Sequence, residues 1–337
     1  MKRRNFLLRC IAASSVIYAV IQTLYPLSKS NELRRNLSVV YESCSVDKVT
    51  LPTSPIIPIF AASYPGSGAQ MVHYLYEALT GLEAGDEWYH RGDTYDRITI
   101  KTHFPARKHK ISGSRLMNRV ILLIRNPIFA LPSHHNFIYE KENQIPNHTT
   151  RSPLPDWIRW RDLNFDKELG NWKKTVEFWV SNFDTDNRLI ISYEHLINPK
   201  LGPVETTRIN SFLARTDGVQ TLPMSAIPCV WDKVVNYEKK NKKAPVDDKD
   251  IKKDENGQKR NMKYISLEDP THPDRSRRSG PQIEYIFTAS QLVKIQRMLN
   301  ELRSKFVSDY TLVILLSEYI KAVDDKLKIA EKSAESN

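Results

Sequence analysis

Three groups of polar residues with complementary chemistry follow three short apolar runs of the chain. The first group is the small-residue loop 63–68 (SYPGSG), the second is 101–103 (KTH), and the third is Arg125. Backbone amides in a small-residue loop before a helix can bind an oxyanion. An imidazole can accept a proton near neutral pH, and a guanidinium can hold a phosphate through two hydrogen bonds. The pattern therefore predicts a site that binds a phosphate-like group beside a general base.

The loop 63–68 lies between an apolar run, 56–62, and a helical pattern, 70–79. The pattern G-x-x-x-x-G-K-[ST], which holds ATP or GTP with magnesium, occurs nowhere in the sequence. A phosphate-like ligand other than a magnesium-bound nucleoside triphosphate is therefore favoured. The alternative is a plain strand-to-helix turn, because glycine serves freely in turns.

Short aliphatic runs alternate with helical patterns along the chain. The runs are 56–62, 98–100, 120–124 and 189–191, and the helical patterns are 70–79, 127–139, 172–182, 204–213, 288–302 and 309–329. Such runs are typical of strands that are buried on both faces of a parallel sheet. The alternation predicts an α/β fold of three layers, in which helices flank a mostly parallel central sheet. Ligand sites in such sheets lie at the carboxyl ends of the strands, where the three polar groups occur.

The composition favours a globular protein that binds anions. The chain has 337 residues, 40% of them hydrophobic, which is ample for one large domain and leaves two domains possible. Its formal net charge of +11 suits nucleotides, sulfated glycans or lipid headgroups. Nucleic acid is not expected as a partner, because the sequence carries no recognisable nucleic-acid-binding motif.

The N-terminal sequence is typical of a targeting segment. Four basic residues precede Cys10, and the run 10–27 carries no charge. We predict an uncleaved signal anchor at 1–27, a stem at 28–55 and a globular body at 56–337, and hence a single-pass type II membrane protein that faces the Golgi lumen. A cleaved signal peptide and an organellar transit peptide are the alternatives.

Two cysteines, two glycosylation sequons and one highly charged segment allow further predictions, and the first two depend on the cellular compartment. Cys44 and Cys229 could pair in an oxidising lumen, and two unpaired buried thiols are the alternative. Glycosylation sequons begin at Asn36 and Asn147 and would matter only in the lumen. Residues 239–263 hold ten Lys/Arg and five Asp/Glu, which predicts a solvated insertion, with a basic lid over an anionic substrate as the alternative.

Five features in consistent order resemble sulfotransferases that use 3′-phosphoadenosine 5′-phosphosulfate (PAPS). The loop 63–68 resembles the 5′-phosphosulfate loop, and 100–105 (IKTHFP) resembles the segment that holds the catalytic base. Arg125 and Ser133 stand eight apart, as in the family's 3′-phosphate site. Segments 191–196 (ISYEHL) and 277–280 (RRSG) resemble the tyrosine-glutamate strand end and the late segment that closes over the 3′-phosphate. The likeness is closest to the WSC-domain-containing sulfotransferases, although the sequence holds no cysteine-rich WSC module.

The resemblance implies a P-loop NTPase-like sulfotransferase fold and sulfonate transfer from PAPS to a hydroxyl, without a metal ion. His103 would be the general base, with Lys101 beside it. The cofactor-binding residues that it implies are Pro65, Gly66, Ser67, Gly68, Ala69, Gln70, Arg125, Ser133, Tyr193, Arg278, Ser279 and Gly280. The expected acceptor is a carbohydrate hydroxyl on a glycan or glycoprotein, with phenols, steroids and tyrosine as alternatives.

Four positions depart from the family's pattern. Soluble members carry lysine where Gly66 stands, and hydroxyl or Asn and Thr residues where Ala69 and Gln70 stand; the tryptophan that stacks on adenine is Met71 here. Lys101 is expected to replace the missing cation. The departures also support an alternative function, a catalytically inactive, membrane-anchored binding protein of the same fold. A kinase-like phosphotransferase is disfavoured because the expected lysine and aspartate are absent.

Overall fold

Five short strands form one sheet at the centre of the fold. The computed structural model describes residues 50–87, 95–103, 105, 116–145, 150–236 and 284–335. Within these ranges the strands are β1 (Ile59–Ser63), β2 (Gly85–Asp86), β3 (Thr99–Thr102), β4 (Val120–Ile124) and β5 (Arg188–Ser192). The strand order is β2-β3-β1-β4-β5, and every neighbouring pair is parallel. The predicted α/β class with a parallel central sheet is therefore confirmed.

The described residues form eight α-helices, which include all six that the sequence patterns predict. They are α1 (Ala69–Thr80), α2 (Pro127–Glu142), α3 (Leu154–Asn182), α4 (Tyr193–Leu196), α5 (Gly202–Leu213), α6 (Ile227–Val234), α7 (Ala289–Lys305) and α8 (Tyr310–Glu335). The pattern 172–182 proved to be only the C-terminal end of α3, which begins at Leu154. Charged residues and Gly170 interrupt the apolar stripe of α3 before residue 172, so its sequence pattern is weak there.

Side chains alternate between the two faces of the sheet, and helices cover both faces. Phe60, Leu122 and Ile190 lie in the large core that α2, α3, α7 and α8 complete. The residues next to them in sequence are also buried and point the other way, where α1 contacts β1 and β3 and α5 contacts β5. Because both faces are apolar, the strands read as unbroken aliphatic runs rather than as an alternating pattern.

The strand order brings three strand ends together. β1 lies between β3 and β4, with Ala62 beside Thr102 and Ser63 beside Leu123. The loop after β1 therefore begins next to the residues that follow β3 and β4. This edge of the sheet is where the three predicted polar groups are expected to meet.

The described helices contradict the predicted membrane localisation. None of them is both long and apolar enough to cross a membrane. α3 and α8 have sufficient length, with 29 and 26 residues, but charged side chains recur along both, and these are costly in hydrocarbon. The predicted anchor at 1–27 itself lies outside the described residues.

Several other predictions fall partly or wholly outside the described ranges. They concern most of the stem 28–55, the sequons at Asn36 and Asn147, the insertion 239–263, the segment 277–280 and Cys44. Cys229 is buried on α6 and takes part in a disulfide bond, so it is not a free thiol; its pairing with Cys44 stays a prediction. The division into anchor, stem and body stays a prediction.

Candidate active site

Close packing at two glycines fixes the loop that follows β1. Gly66 and Gly68 have φ values of +82° and +94°, in the left-handed region that favours glycine. A Cβ at Gly66 would lie 2.5 Å from the carbonyl oxygen of Ala130 on α2, and one at Gly68 would lie 2.6 Å from Cε2 of Tyr193. The loop therefore fits between α2 and the Tyr193 ring only because both positions lack a side chain.

The start of α1 offers amide donors to a ligand. Gly68 is the N-cap residue and supplies no side-chain hydrogen bond, so the first amides of the helix, including those of Ala69 and Gln70, have no intrahelical acceptor. The helix dipole adds a partial positive charge at the same point. The hydroxyl of Ser67 is buried and has no hydrogen-bond partner among the described residues. Such an orphaned group is typical of a site that receives a water or a ligand.

His103 follows β3, and its imidazole is bonded to the end of β1. Nδ1 lies 2.8 Å from the carbonyl oxygen of Ser63, and the backbone N–H of His103 donates to Oε1 of Glu87 at 3.0 Å. A carbonyl oxygen can only accept a hydrogen bond, so Nδ1 carries the proton of the neutral ring. Nε2 is then the basic nitrogen, which is the tautomer that a general base needs.

Lys101 lies on β3 close to the first turn of α1. Its Nζ is 2.6 Å from Oδ2 of Asp86 and donates to Oε1 of Gln70 at 3.3 Å. The Asp86 side chain is only 5% exposed, so this ion pair holds the ammonium group in place. A positive charge is therefore present beside the loop, although Gly66 carries none.

Arg125 follows β4, and its guanidinium lies on the other flank of the loop. Nη1 donates to the carbonyl oxygen of Gly66 at 2.7 Å, and Cζ lies 4.2 Å from the centre of the Tyr193 ring. The buried Nε has no partner among the described residues. Trp172 donates from Nε1 to the carbonyl oxygen of Arg125 at 3.0 Å, which fixes the backbone there. Arg125 is thus a fixed cation whose hydrogen-bonding capacity the protein satisfies only in part.

Glu194 ties together the segments that carry Arg125 and Tyr193. Its Oε1 accepts from the backbone N–H of Asn126 at 3.0 Å, and its Oε2 accepts from the Tyr319 hydroxyl at 2.7 Å. Burial and the neighbouring Glu194 carboxylate raise the pKa of Tyr319 well above its usual value, so the hydroxyl stays protonated. The sequence marks Glu194 as part of the tyrosine-glutamate strand end but does not give its role, because its partners Asn126 and Tyr319 lie far away in the sequence.

The described candidate residues gather at one edge of the sheet. Ser133 is half-buried on α2, directly before His134, whose backbone nitrogen approaches Gly66. Pro65 is buried within the loop. Arg278, Ser279 and Gly280 lie outside the described residues. The binding and catalytic roles of all these residues stay predictions.

Comparison with known proteins finds similarity to sulfotransferases. No protein-family model matches the chain. Sulfotransferase 2A2 of Rattus norvegicus is 27% identical over 135 residues, which are 38% of this chain and 45% of that protein. The 3-alpha-hydroxysteroid sulfotransferase of Cavia porcellus is 30% identical over 120 residues, which are 36% of this chain and 39% of that protein. The matches thus span less than half the length of these curated relatives.

A solved structure of a sulfotransferase also aligns with the chain. It is the crystal structure of mouse sulfotransferase SULT7A1 complexed with PAP. The alignment covers 79% of this chain and 88% of the mouse chain, at 20% identity and a TM-score of 0.45. The resemblance to the WSC-domain subtype stays a prediction. In sequence, the chain is similar to curated sulfotransferases over rather more than a third of its length.

Proposed function

We propose that this protein transfers a sulfonate group from PAPS to an acceptor hydroxyl. The observation that carries the proposal is the hydrogen bond from His103 Nδ1 to the carbonyl oxygen of Ser63. It fixes a basic imidazole nitrogen at the start of a loop that is suited to an anion. The partial similarity to curated sulfotransferases supports the same chemistry.

The residues around the loop fit a donor with two separate anionic groups. The amides of residues 67–70, at the start of α1, would hold the 5′-phosphosulfate, and Arg125 with Ser133 would hold the 3′-phosphate. The orphaned Ser67 hydroxyl and Arg125 Nε are consistent with this assignment. Arg278, Ser279 and Gly280 would complete the 3′-phosphate site, as the resemblance implies. Metal-free transfer is part of the proposal and stays a prediction.

When bound, PAPS would supply a sulfonate on a good leaving group. His103 Nε2 would take the proton of the acceptor hydroxyl, whose oxygen would receive the sulfonate in place of the leaving phosphate. The Ser63 carbonyl oxygen holds the imidazole in the required tautomer. The loop amides and the Lys101 ammonium stabilise the negative charge that grows on the leaving phosphate. Arg125 fixes the position of the donor.

The acceptor hydroxyl in this proposal belongs to a carbohydrate, on a glycan or glycoprotein. The likeness to WSC-type sulfotransferases favours this class. Phenols, steroids and tyrosine are the competing acceptors.

The test combines donor binding with transfer. We expect 3′-phosphoadenosine 5′-phosphate (PAP) to raise the melting temperature without magnesium, and ³⁵S-labelled PAPS to label a hydroxyl acceptor. Stabilisation by PAP without any transfer would favour the inactive binding protein instead. Stabilisation only by ATP with magnesium would overturn the proposal in favour of a kinase-like phosphotransferase.

A further inference from the structure

Tyr319 of α8 contacts the end of β4 and the start of α4. Its hydroxyl bonds to Oε2 of Glu194 at 2.7 Å and to the carbonyl oxygen of Ile124 at 3.1 Å, and the two acceptors share its one proton. Tyr319 is only 3% exposed, so water competes little for these contacts. The hydroxyl therefore fixes the residue directly before Arg125 and the residue directly after Tyr193.

The backbone of Tyr319 reaches the start of α2 as well. The side-chain amide of Asn126 donates to the carbonyl oxygen of Tyr319 across a long contact of 3.5 Å, and its Oδ1 accepts from the backbone N–H of Ile128 at 3.1 Å. Asn126 is the N-cap of α2, the helix that carries Ser133. Tyr319 thus contacts the chain on both sides of Arg125 and at the base of the helix with the second candidate ligand for the 3′-phosphate.

Three helices hold the backbone of residues 124–126. Nε1 of Trp172, on α3, donates to the carbonyl oxygen of Arg125 at 3.0 Å. Oε1 of Glu194, on α4, accepts from the backbone N–H of Asn126 at 3.0 Å. Tyr319 supplies the contact from α8. A side chain on a fixed backbone loses less conformational freedom when it binds a ligand, which favours affinity.

A neighbouring pair sets the register of α8 on α4. Nε2 of His195 lies 2.6 Å from Oε2 of Glu318, next to the hydrogen bond between Glu194 and Tyr319. Two consecutive residues of α4 therefore contact two consecutive residues of α8. Because both contacts must form together, α8 presents the Tyr319 hydroxyl to the end of β4 in one position.

We propose that Tyr319 is a positioning residue for donor binding, which acts through Arg125 and does not touch the donor. The inference rests on the proposed function, in which Arg125 holds the 3′-phosphate, and deepens it by making α8 a support of the donor site. Several neighbours of Tyr319 on α8, such as Leu316 and Val323, are apolar and pack only in the core.

The test removes the hydroxyl alone. Tyr319→Phe keeps the ring and the backbone carbonyl, and calorimetry should show a Kd for PAP raised about 5- to 10-fold, the effect of one lost hydrogen bond. With labelled PAPS the donor KM should rise in parallel, whereas kcat should change less than about 2-fold, because His103 lies on the other flank of the loop. In an Arg125→Ala background, Tyr319→Phe should have no further effect on Kd, since both changes act through one group.

Val323→Ala is the matched control, because Val323 is a buried core residue of α8 one turn further along. It should lower the melting temperature and leave PAP affinity unchanged. Equal weakening of PAP binding in both variants would reduce Tyr319 to a structural residue and overturn the inference.

The remaining outcomes separate this inference from the function on which it rests. Wild-type PAP affinity in Tyr319→Phe, or an undiminished effect of Tyr319→Phe in the Arg125→Ala background, would overturn the inference and leave sulfonate transfer standing. Absence of PAP binding in the wild type would remove the proposed function, and this inference with it.

Discussion

The two flanks of the loop 63–68 carry different kinds of chemistry. On the β3 flank, His103 and Lys101 contact the carboxylates of Glu87 and Asp86. On the β4 flank, the Arg125 side chain contacts a carbonyl oxygen and an aromatic ring, and no carboxylate among the described residues. On the β3 flank a carboxylate fixes the backbone that carries the imidazole, which suits a base held in place, whereas a cation without a carboxylate partner among the described residues suits anion binding.

Glu194, an acidic residue on the β4 flank, illustrates the difference. Glu194 follows Tyr193 directly, yet its carboxylate is occupied by the Asn126 amide and the Tyr319 hydroxyl. It therefore positions the strand ends and does not neutralise Arg125. The two flanks should respond differently to substitution, and the following predictions are ordered by the expected effect on activity.

The largest effect is expected at His103. His103→Ala should lower kcat about 10²- to 10⁴-fold and leave PAP affinity nearly unchanged, because the base acts only on the acceptor proton. His103→Asn is the matched variant, since its side-chain amide can still donate to the Ser63 carbonyl oxygen. Equal loss in both variants would indicate a catalytic imidazole, whereas recovery in His103→Asn would reduce His103 to a positioning residue.

A smaller effect, and on binding, is expected at Arg125. Arg125→Ala should weaken PAP binding about 10- to 100-fold, the effect of losing charge-assisted hydrogen bonds, as measured by calorimetry. Arg125→Lys should recover only part of the affinity because it lacks the planar fork. Lys305→Ala removes one charge from the ion pair with Glu177 and controls for net charge. Equal affinity in Arg125→Ala and the wild type would contradict the assignment.

At Lys101, a catalytic role can be separated from a structural one. Lys101→Met removes the ammonium group from the ion pair with the buried Asp86 carboxylate, which should lower the free energy of unfolding by about 3–5 kcal/mol. Adding Asp86→Asn should restore stability. If Lys101 stabilises the leaving phosphate, kcat of the double variant should stay about 10-fold low, the size expected for a single charged interaction. Full recovery of kcat would show that the ammonium only neutralises Asp86.

The smallest effect on activity is expected at Glu77, on the buried face of α1 behind the β3 flank. Burial raises the pKa of Glu77 from 4.5 to about 7, so the folded protein keeps this proton after the unfolded chain has lost it. The stabilising contribution is therefore complete below pH 4.5 and is lost as pH rises to about 7.

Urea unfolding of the wild type and Glu77→Gln measures this contribution. Relative to the variant, the wild type should lose up to about 3 kcal/mol between pH 4.5 and 7. Burial, and then Lys101, lower the pKa of His73 to about 3, and Nε2 of His73 lies 3.6 Å from Oε1 of Glu77, so His73→Gln is added to both proteins before they are compared. Glu301→Gln is the exposed control, because the hydrogen bond from Lys173 lowers the pKa of Glu301. A constant difference between wild type and Glu77→Gln would refute the raised pKa.

The sequence was informative where local pattern decides structure. The strands β1, β3, β4 and β5 were predictable because both sheet faces are covered and the runs are uniformly aliphatic. β2 was not predicted, since its two residues, Gly85 and Asp86, carry no apolar pattern. The N-terminal half of α3 was missed because charges interrupt its stripe.

The site was predictable in its residues and less so in their partners. His103 and Arg125 could be chosen because they follow strands whose ends must meet at one edge. The roles of Asp86, Glu87 and Tyr319 depend on contacts between residues distant in sequence, which a single sequence does not reveal.

A crystal structure with PAP would test the central claim most directly. The account predicts the 5′-phosphate within hydrogen-bonding distance of the amides of residues 67–70, and the 3′-phosphate on Arg125 and Ser133. His103 Nε2 should face the bound 5′-phosphate. PAP bound away from this loop, or bound with its phosphates remote from both Ser67 and Arg125, would contradict the account.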